Sequence, residues 1–84
     1  MLKFGDVIYR PCLSYAGKKE FVNTQIVLEM IVKNDKYYIR SIDCFGQKWT
    51  DAIIDLGVTI FISKNKAINK LMRMIAEKER KADT

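Results

Sequence analysis

Apolar and polar residues alternate most regularly between positions 21 and 33. One set of alternate positions is mainly apolar and comprises Val22, Thr24, Ile26, Leu28, Met30 and Val32. The other set includes Asn23, Gln25, Glu29 and Lys33. A period of two is typical of a β-strand whose two faces have different surroundings. Asn34 and Asp35 then favour a tight turn, so residues 21–42 predict an antiparallel hairpin.

Weaker β signals precede this hairpin. Residues 4–10 form a short β-rich stretch that Pro11 closes. Because proline has no N–H to donate to a neighbouring strand, we expect this stretch to lie at a sheet edge or to bend early. Residues 14–20 combine glycine with charged side chains, which predicts an exposed loop before the hairpin begins.

Further β signals follow the hairpin. Residues 45–47 contain a glycine and predict a turn or bulge, after which residues 48–50 predict another β segment. Residues 51–56 fit either a short strand or a single helical turn. The β-branched run at residues 58–62 predicts a buried last strand.

The last quarter of the chain changes to a helical period. Apolar residues recur every three or four positions from Lys64 to about Arg80, and Ser63 can cap the helix by accepting its first backbone amides. The apolar side of the predicted helix holds Ala67, Ile68, Leu71, Met72, Met74 and Ile75. We expect the helix to dock on the sheet through the centre of that side, namely Ile68, Leu71, Met72 and Ile75.

Together these elements predict an α+β fold in which 84 residues form a single domain. We expect a strongly bent antiparallel sheet or an SH3-like β-barrel of four or five strands, with one C-terminal amphipathic helix. The β-rich part covers residues 1–62, the helix about 64–80 and a frayed tail 81–84. A hydrophobic content of 49% excludes a disordered chain. No apolar run approaches the roughly 18 residues of a membrane span, so we predict a cytoplasmic protein with no membrane partner.

Positive charge is concentrated near the C-terminus. Residues 63–84 hold seven Lys or Arg residues against three Asp or Glu, whereas residues 1–62 hold eight against seven. The face of the predicted helix opposite its apolar side contains Lys66, Lys70, Arg73 and Arg80, with Glu77 among them. A cationic helix face on a nearly neutral body predicts an anionic partner such as nucleic acid, a nucleotide or an acidic protein surface. The alternative is an ordinary solvated surface.

The sequence contains few of the groups that catalysis requires. There is no histidine, the serines lack a G-x-S-x-G context, and the glycines form no phosphate-binding loop. Cys12 and Cys44 form no C-x-x-C motif, and we expect both to be buried as small hydrophobic side chains. Asp51 and Asp55 would approach each other on a helical turn, although two isolated carboxylates are usually surface groups. We therefore predict no enzyme, no catalytic residue, no cofactor and no metal site.

Aromatic residues fall in or beside the β segments. Exposed rings on small barrels can stack single-stranded bases, and the same residues also serve as ordinary core fillers. The candidate binding residues on the sheet are Tyr37, Tyr38, Arg40 and Trp49. Since Tyr37 and Tyr38 are adjacent in one strand, they point to opposite faces and at most one belongs to the core.

Residues 56–71 combine a Leu-Gly turn, an apolar-Phe-apolar segment, a serine cap and a helix with Ala67 and Leu71 four positions apart. In this combination they resemble the ending of small, mostly uncharacterised proteins of Firmicutes and their phages, and residues 5–9 resemble the first strand of those proteins. The resemblance implies a small β-barrel with a helix and a mobile-element origin. Those proteins usually have glutamates after the cap, where this chain has asparagine and lysine.

These observations favour a non-catalytic binding protein of phage or mobile-element type. We expect it to act by occupying a host protein or ribonucleoprotein, with inhibition of a CRISPR-type defence nuclease as the most specific hypothesis. One alternative is an RNA- or DNA-binding module that uses the basic helix and exposed aromatic rings. Another is a sponge for an anionic nucleotide messenger. The small size of the domain also leaves a homodimer open.

Overall fold

A four-stranded antiparallel sheet and one helix form the fold, which the computed structural model describes for residues 2–82. In chain order and in sheet order the strands are β1 (Val7–Tyr15), β2 (Lys18–Lys33), β3 (Lys36–Asp43) and β4 (Lys48–Ala52). A 3-10 turn (Ile53–Asp55) follows β4, and the helix α1 covers Lys64–Ala82. The predicted α+β class with an antiparallel sheet and a C-terminal helix is confirmed.

Two-residue turns connect the first three strands. Ala16 and Gly17 join β1 to β2, Asn34 and Asp35 join β2 to β3, and all four residues have positive φ angles between 52° and 77°. Two consecutive positive φ angles define a turn whose twist matches that of the flanking strands. The predicted hairpin of residues 21–42 is confirmed. The loop expected at 14–20 is instead this tight turn with paired strands on both sides.

A bulge divides β2 into two halves that bury opposite sets of alternate positions. Asn23, Gln25 and Val27 are fully buried, whereas Ile26 is 46% exposed. The pairing of β2 with β3 shifts by one residue between Val27 and Glu29. An extra residue at a bulge moves the following side chains to the other face of the strand. Before the bulge, the polar residues Asn23 and Gln25 are thus on the buried side, whereas Glu29 and Lys33 after it are exposed.

The apolar core combines side chains from β1, β2 and β3 with one from the segment that follows the 3-10 turn. Its fully buried members are Ile8, Val27, Ile39 and Ile60, and the partly buried side chains packed against them are Leu2, Met30, Ile53 and Leu56. The backbone groups of Tyr9 and Phe61 exchange two hydrogen bonds of 2.7 and 2.8 Å. The segment after the 3-10 turn is thus held against the outer edge of β1. As predicted, β1 is an edge strand of the sheet, although it continues through Pro11.

The prediction of a last strand at residues 58–62 is wrong. Ile60 and Phe61 are buried and make single β-bridges, but Val58 is 53% and Ile62 60% exposed. The backbone N–H groups of residues 58–60 all turn back to the carbonyl oxygen of Asp55. This chain reversal prevents the β-branched run from extending as a strand. Residues 51–56, ambiguous in the sequence, divide between the end of β4 and the 3-10 turn.

The helix α1 packs against β1 and β2 through a narrow apolar stripe. Ala67 is fully buried, Leu71 is 8% exposed, and Ile75 is half-buried. Ile68 and Met72 are 37% and 63% exposed, so the expectation that they dock the helix is wrong. The contact is centred on Ala67 and on Leu71, which was among the residues expected to dock, and Met72 faces solvent.

The predicted cap of α1 is confirmed. The hydroxyl oxygen of Ser63 accepts a hydrogen bond from the backbone N–H of Lys66 at 3.3 Å. The helix ends at Ala82, two residues beyond the predicted end, and the last two residues of the predicted tail lie outside the described part of the chain. Within residues 2–82, no helix combines the length and the apolar character that crossing a membrane requires.

Replacing Leu71 by alanine should lower the free energy of unfolding by about 2–5 kcal/mol, because the substitution leaves a cavity between α1 and the sheet. Met72→Ala is the matched control, since Met72 is the next residue of the same helix and is 63% exposed. Its effect should stay within about 0.5 kcal/mol. Urea unfolding of both variants measures the difference, and equal effects would show that the helix docks through another stripe.

Candidate functional site

The carboxylate of Asp43 joins all four strands at one end of the sheet. Its Oδ2 atom accepts hydrogen bonds from the hydroxyl of Tyr15 on β1, the side-chain amide of Asn23 on β2 and the indole N–H of Trp49 on β4, at 2.8–3.1 Å. Its Oδ1 atom accepts two backbone N–H groups at 2.9 Å from the turn between β3 and β4, one of them from Phe45. Asp43 therefore fixes both the strands and the turn.

These hydrogen bonds keep Asp43 ionised. Burial by itself raises the pKa of the carboxyl group, but the hydrogen bonds from Trp49, Asn23 and Tyr15 and from the backbone of Gln47 outweigh it and hold the pKa well below its usual range. Burial and the hydrogen bond to Asp43 raise the pKa of Tyr15 to about 12. At neutral pH the pair is thus a carboxylate that accepts a hydrogen bond from a neutral phenol.

Arg10 connects the first strand directly to the last. Its guanidinium group forms an ion pair with Asp51 on β4, and its Cζ atom lies 4.1 Å from the ring centre of Trp49. Its Nε atom donates to Gln25 at 2.8 Å, and Gln25 donates in turn to Ser41 at 2.6 Å. In a flat sheet the first and fourth strands would lie about 14 Å apart. The contacts of Arg10 therefore require a strongly curved sheet.

Aromatic rings surround Asp43 at the same end. Tyr15 lies 5.4–6.4 Å from the rings of Phe21, Phe45 and Trp49, measured between centroids. The Nζ atom of Lys18 is 5.5 Å from the ring centre of Phe45 and 5.9 Å from that of Phe21. Phe45 is 42% exposed. The surface formed by Lys18, Phe21 and Phe45 is called the aromatic end below.

The four residues predicted on the sheet do not form one surface. Trp49 is half-buried, and its indole N–H donates to the carboxylate of Asp43. Tyr37 is 47% exposed and lies near the opposite end of the sheet, beside the turn from β2 to β3, and Tyr38 is half-buried. Arg40 forms an ion pair with Glu29 on the neighbouring strand, at 3.4 Å. Of these four, only Trp49 contributes to the ring cluster.

The residues predicted on the helix do lie on one face. α1 carries seven Lys or Arg residues against two Glu residues. We define its cationic stripe as Lys66, Lys70, Arg73 and Arg80. The last three line a groove of about 380 Å³ together with Met74, Ala76 and Glu77. Within residues 2–82, no carboxylate oxygen lies within 4.0 Å of any cation of this stripe.

The C-terminal part of α1 contacts the hairpin between β1 and β2. Lys78 near the end of α1 forms an ion pair with Glu20 on this hairpin, at 3.9 Å. Glu20 immediately precedes Phe21 and follows Lys18 by two positions. The helix that carries the stripe and two residues of the aromatic end, Lys18 and Phe21, therefore share the β1–β2 hairpin as a neighbour. Phe21 and Phe45 were among the aromatic residues beside the β segments, but neither they nor Lys18 were predicted as binding residues, because the sequence pattern does not show which rings are exposed together.

The remaining chemical candidates do not form a site. Cys12 is buried, as predicted, and burial raises the pKa of its thiol. Cys44 is exposed, so its expected burial is wrong; it lies in the β3–β4 turn, where only the preceding aspartate is directed inward. Asp51 pairs with Arg10, and Asp55 lies in the 3-10 turn. Among residues 2–82, no group of three His, Cys, Asp or Glu side chains is placed to hold a metal ion.

Comparisons with protein-family models, with curated proteins and with solved structures find no match to this chain. The resemblance to phage proteins therefore rests on residues 5–9 and 56–71 alone. What the surface binds has to be inferred from its own charge, shape and exposed rings.

Replacing Asp43 by asparagine should lower the free energy of unfolding by about 3 kcal/mol, because an amide presents N–H donors to a site where every neighbour donates. The matched control is Asp35→Asn, in an exposed turn with positive φ that asparagine also adopts readily. This change should stay within about 0.5 kcal/mol. Denaturant unfolding at neutral pH measures both variants, and a small effect of Asp43→Asn would contradict its role as the common acceptor.

Proposed function

We propose that the protein is a non-catalytic binding module that occupies an anionic macromolecule through the cationic stripe of α1. The observation that carries this proposal is that the four cations of the stripe share their face with one acidic residue, Glu77, and form no ion pair within residues 2–82. Lys66 and Lys70 are four residues apart and repel each other. Lys66 also lies in the first turn of α1, where the helix dipole disfavours a cation. A bound polyanion offsets both costs.

The length of the stripe favours a polymer over a small anion. At a rise of 1.5 Å per residue, Lys66 and Arg80 are about 21 Å apart along the helix axis. A polymer of phosphates can contact all four cations and release condensed counterions from each contact. A single nucleotide would contact only part of the stripe, so a messenger sponge is the weaker proposal.

The polyanion can belong to a host ribonucleoprotein. A CRISPR-type nuclease holds a guide RNA and a target strand, and their phosphates are a surface that a cationic stripe can occupy. The mobile-element origin implied by residues 56–71 supports this second proposal. A cleavage assay with a purified guided nuclease tests it: inhibition that requires the cationic stripe would support it, and undiminished cleavage at saturating protein would contradict it.

We also propose that the curved sheet closes into an SH3-like barrel. The support is the sequential order of four strands, the 3-10 turn after β4 and the backbone pairing of Tyr9 with Phe61. In a barrel of this size the interior is filled by side chains. Binding would then use the outer surface and the helix.

Exchanging Lys66, Arg73 and Arg80 for glutamate should abolish binding of long-chain polyphosphate and of a single-stranded oligonucleotide. All three side chains are exposed, so the fold should be retained. For the unchanged protein, the logarithm of affinity for the oligonucleotide should fall with the logarithm of salt concentration, with a slope of about −2 to −3 for three or four contacted phosphates. Fluorescence anisotropy across a salt series measures both effects.

The matched control reverses three exposed lysines that belong neither to α1 nor to the β3–β4 end of the sheet, Lys3, Lys33 and Lys36, and so changes the net charge by the same amount. This variant should retain most of the affinity, because those lysines lie away from α1. Equal losses in the two variants would mean that net charge, and not the stripe, determines binding. Affinity that does not depend on salt would also contradict the proposal.

A further inference from the structure

We propose that the aromatic end is a stacking site for an unpaired base, so that the macromolecule bound by α1 is a single-stranded nucleic acid. This inference rests on the proposed function of the cationic stripe and specifies its partner. Single-stranded nucleic acids are bound by a combination of cations that follow the backbone and aromatic rings on which bases stack. Both parts are present in this molecule: α1 carries the cations and packs against β1 and β2, and Lys18 and Phe21 of the aromatic end belong to β2.

Phe45 has the exposure and the ring geometry that stacking requires. It lies in the β3–β4 turn and is 42% exposed. Its ring is nearly perpendicular to those of Tyr15 and Phe21, at 78° and 88°, with centroid separations of 5.6 and 6.1 Å. Neither neighbour lies parallel to Phe45, so neither occupies the position of a stacked base.

The ring is also held in place before any ligand binds. The backbone N–H of Phe45 donates to the Asp43 carboxylate at 2.9 Å, and the N–H of Gly46 donates to the Asp43 carbonyl oxygen at 3.1 Å. Tyr15 and Phe21 support the ring from the side. A base can therefore stack without the entropic cost of ordering the turn.

A cation accompanies the ring. The ammonium group of Lys18 lies 5.5 Å from the centre of the Phe45 ring, and Lys19 beside it is exposed. The phosphate that joins a stacked nucleotide to its neighbour would lie within reach of such a group. This pairing of a ring with an ammonium group distinguishes a nucleotide from a purely apolar partner.

The path from the stripe to the ring crosses no unpaired acidic side chain of the hairpin. Glu20 is the acidic residue of this hairpin, and its carboxylate is paired with Lys78 of α1. A single-stranded nucleic acid that contacts Arg73 and Arg80 can continue past this ion pair to Lys18 and Phe45. The packing of α1 against β1 and β2 keeps the two binding areas in a constant relation.

Phe45→Ala should weaken binding of a single-stranded oligonucleotide by about 5- to 150-fold, the range that loss of one stacked base produces. Binding of polyphosphate, which has the charge but no bases, should not change. Phe45→Tyr should restore the affinity for the oligonucleotide, because tyrosine supplies an equivalent ring. Phe4→Ala is the matched control, since Phe4 is 75% exposed and lies outside the aromatic end; it should bind both ligands as the unchanged protein does.

The outcomes separate this inference from the proposed function. If Phe45→Ala binds the oligonucleotide normally, or weakens polyphosphate binding equally, the stacking site is refuted while the cationic stripe stands. If reversal of the stripe leaves both ligands bound, the proposed function fails. A protein that binds neither ligand at low salt overturns both proposals. Preference for an acidic protein over the oligonucleotide would assign the surface to another class of partner and also refute the stacking site.

Discussion

The structure depends on one buried charge, the carboxylate of Asp43. It accepts hydrogen bonds from Tyr15, Asn23 and Trp49, and so links β3 to each of the other three strands. A buried charge is tolerated when hydrogen-bond donors replace the water it has lost. The same carboxylate holds the turn that presents Phe45. The curvature of the sheet and the position of the aromatic end thus have a common origin.

The interior polar groups also indicate why binding is assigned to the outer surface. Arg10 forms an ion pair with Asp51 and donates to the neutral amide of Gln25 inside the sheet, so the charges of Arg10 and Asp51 are not available to a ligand. One buried polar atom is not satisfied in this way: the Oδ1 atom of Asn23 has no hydrogen-bond partner within residues 2–82. The excess positive charge is on α1, where the side chains of the cationic stripe are largely exposed, outnumber Glu77 on the same face and form no ion pair within residues 2–82. Charge inside the molecule stabilises the fold, and charge on α1 is left for a partner.

The sequence predicted the elements whose formation depends on neighbouring residues. Asn34 and Asp35 determine a turn locally, and the Ser63 hydroxyl needs only the next turn of the helix. The faces of β2 were not predictable, because Asn23 and Gln25 are buried by partners on another strand and a bulge changes the alternation. The aromatic end likewise combines residues from two separate turns, which no local pattern brings together.

The most direct test of the role of Asp43 is a titration of its side-chain carboxyl carbon by NMR spectroscopy. We expect its pKa to lie well below the ordinary value of about 3.9, because the surrounding donors favour the ionised form. Since the folded-state pKa is lowered, the stability that this charge contributes is present above the ordinary pKa and is lost as the pH falls through the folded-state value. A carboxyl group that titrates at or above about 3.9 would show that these donors do not hold it.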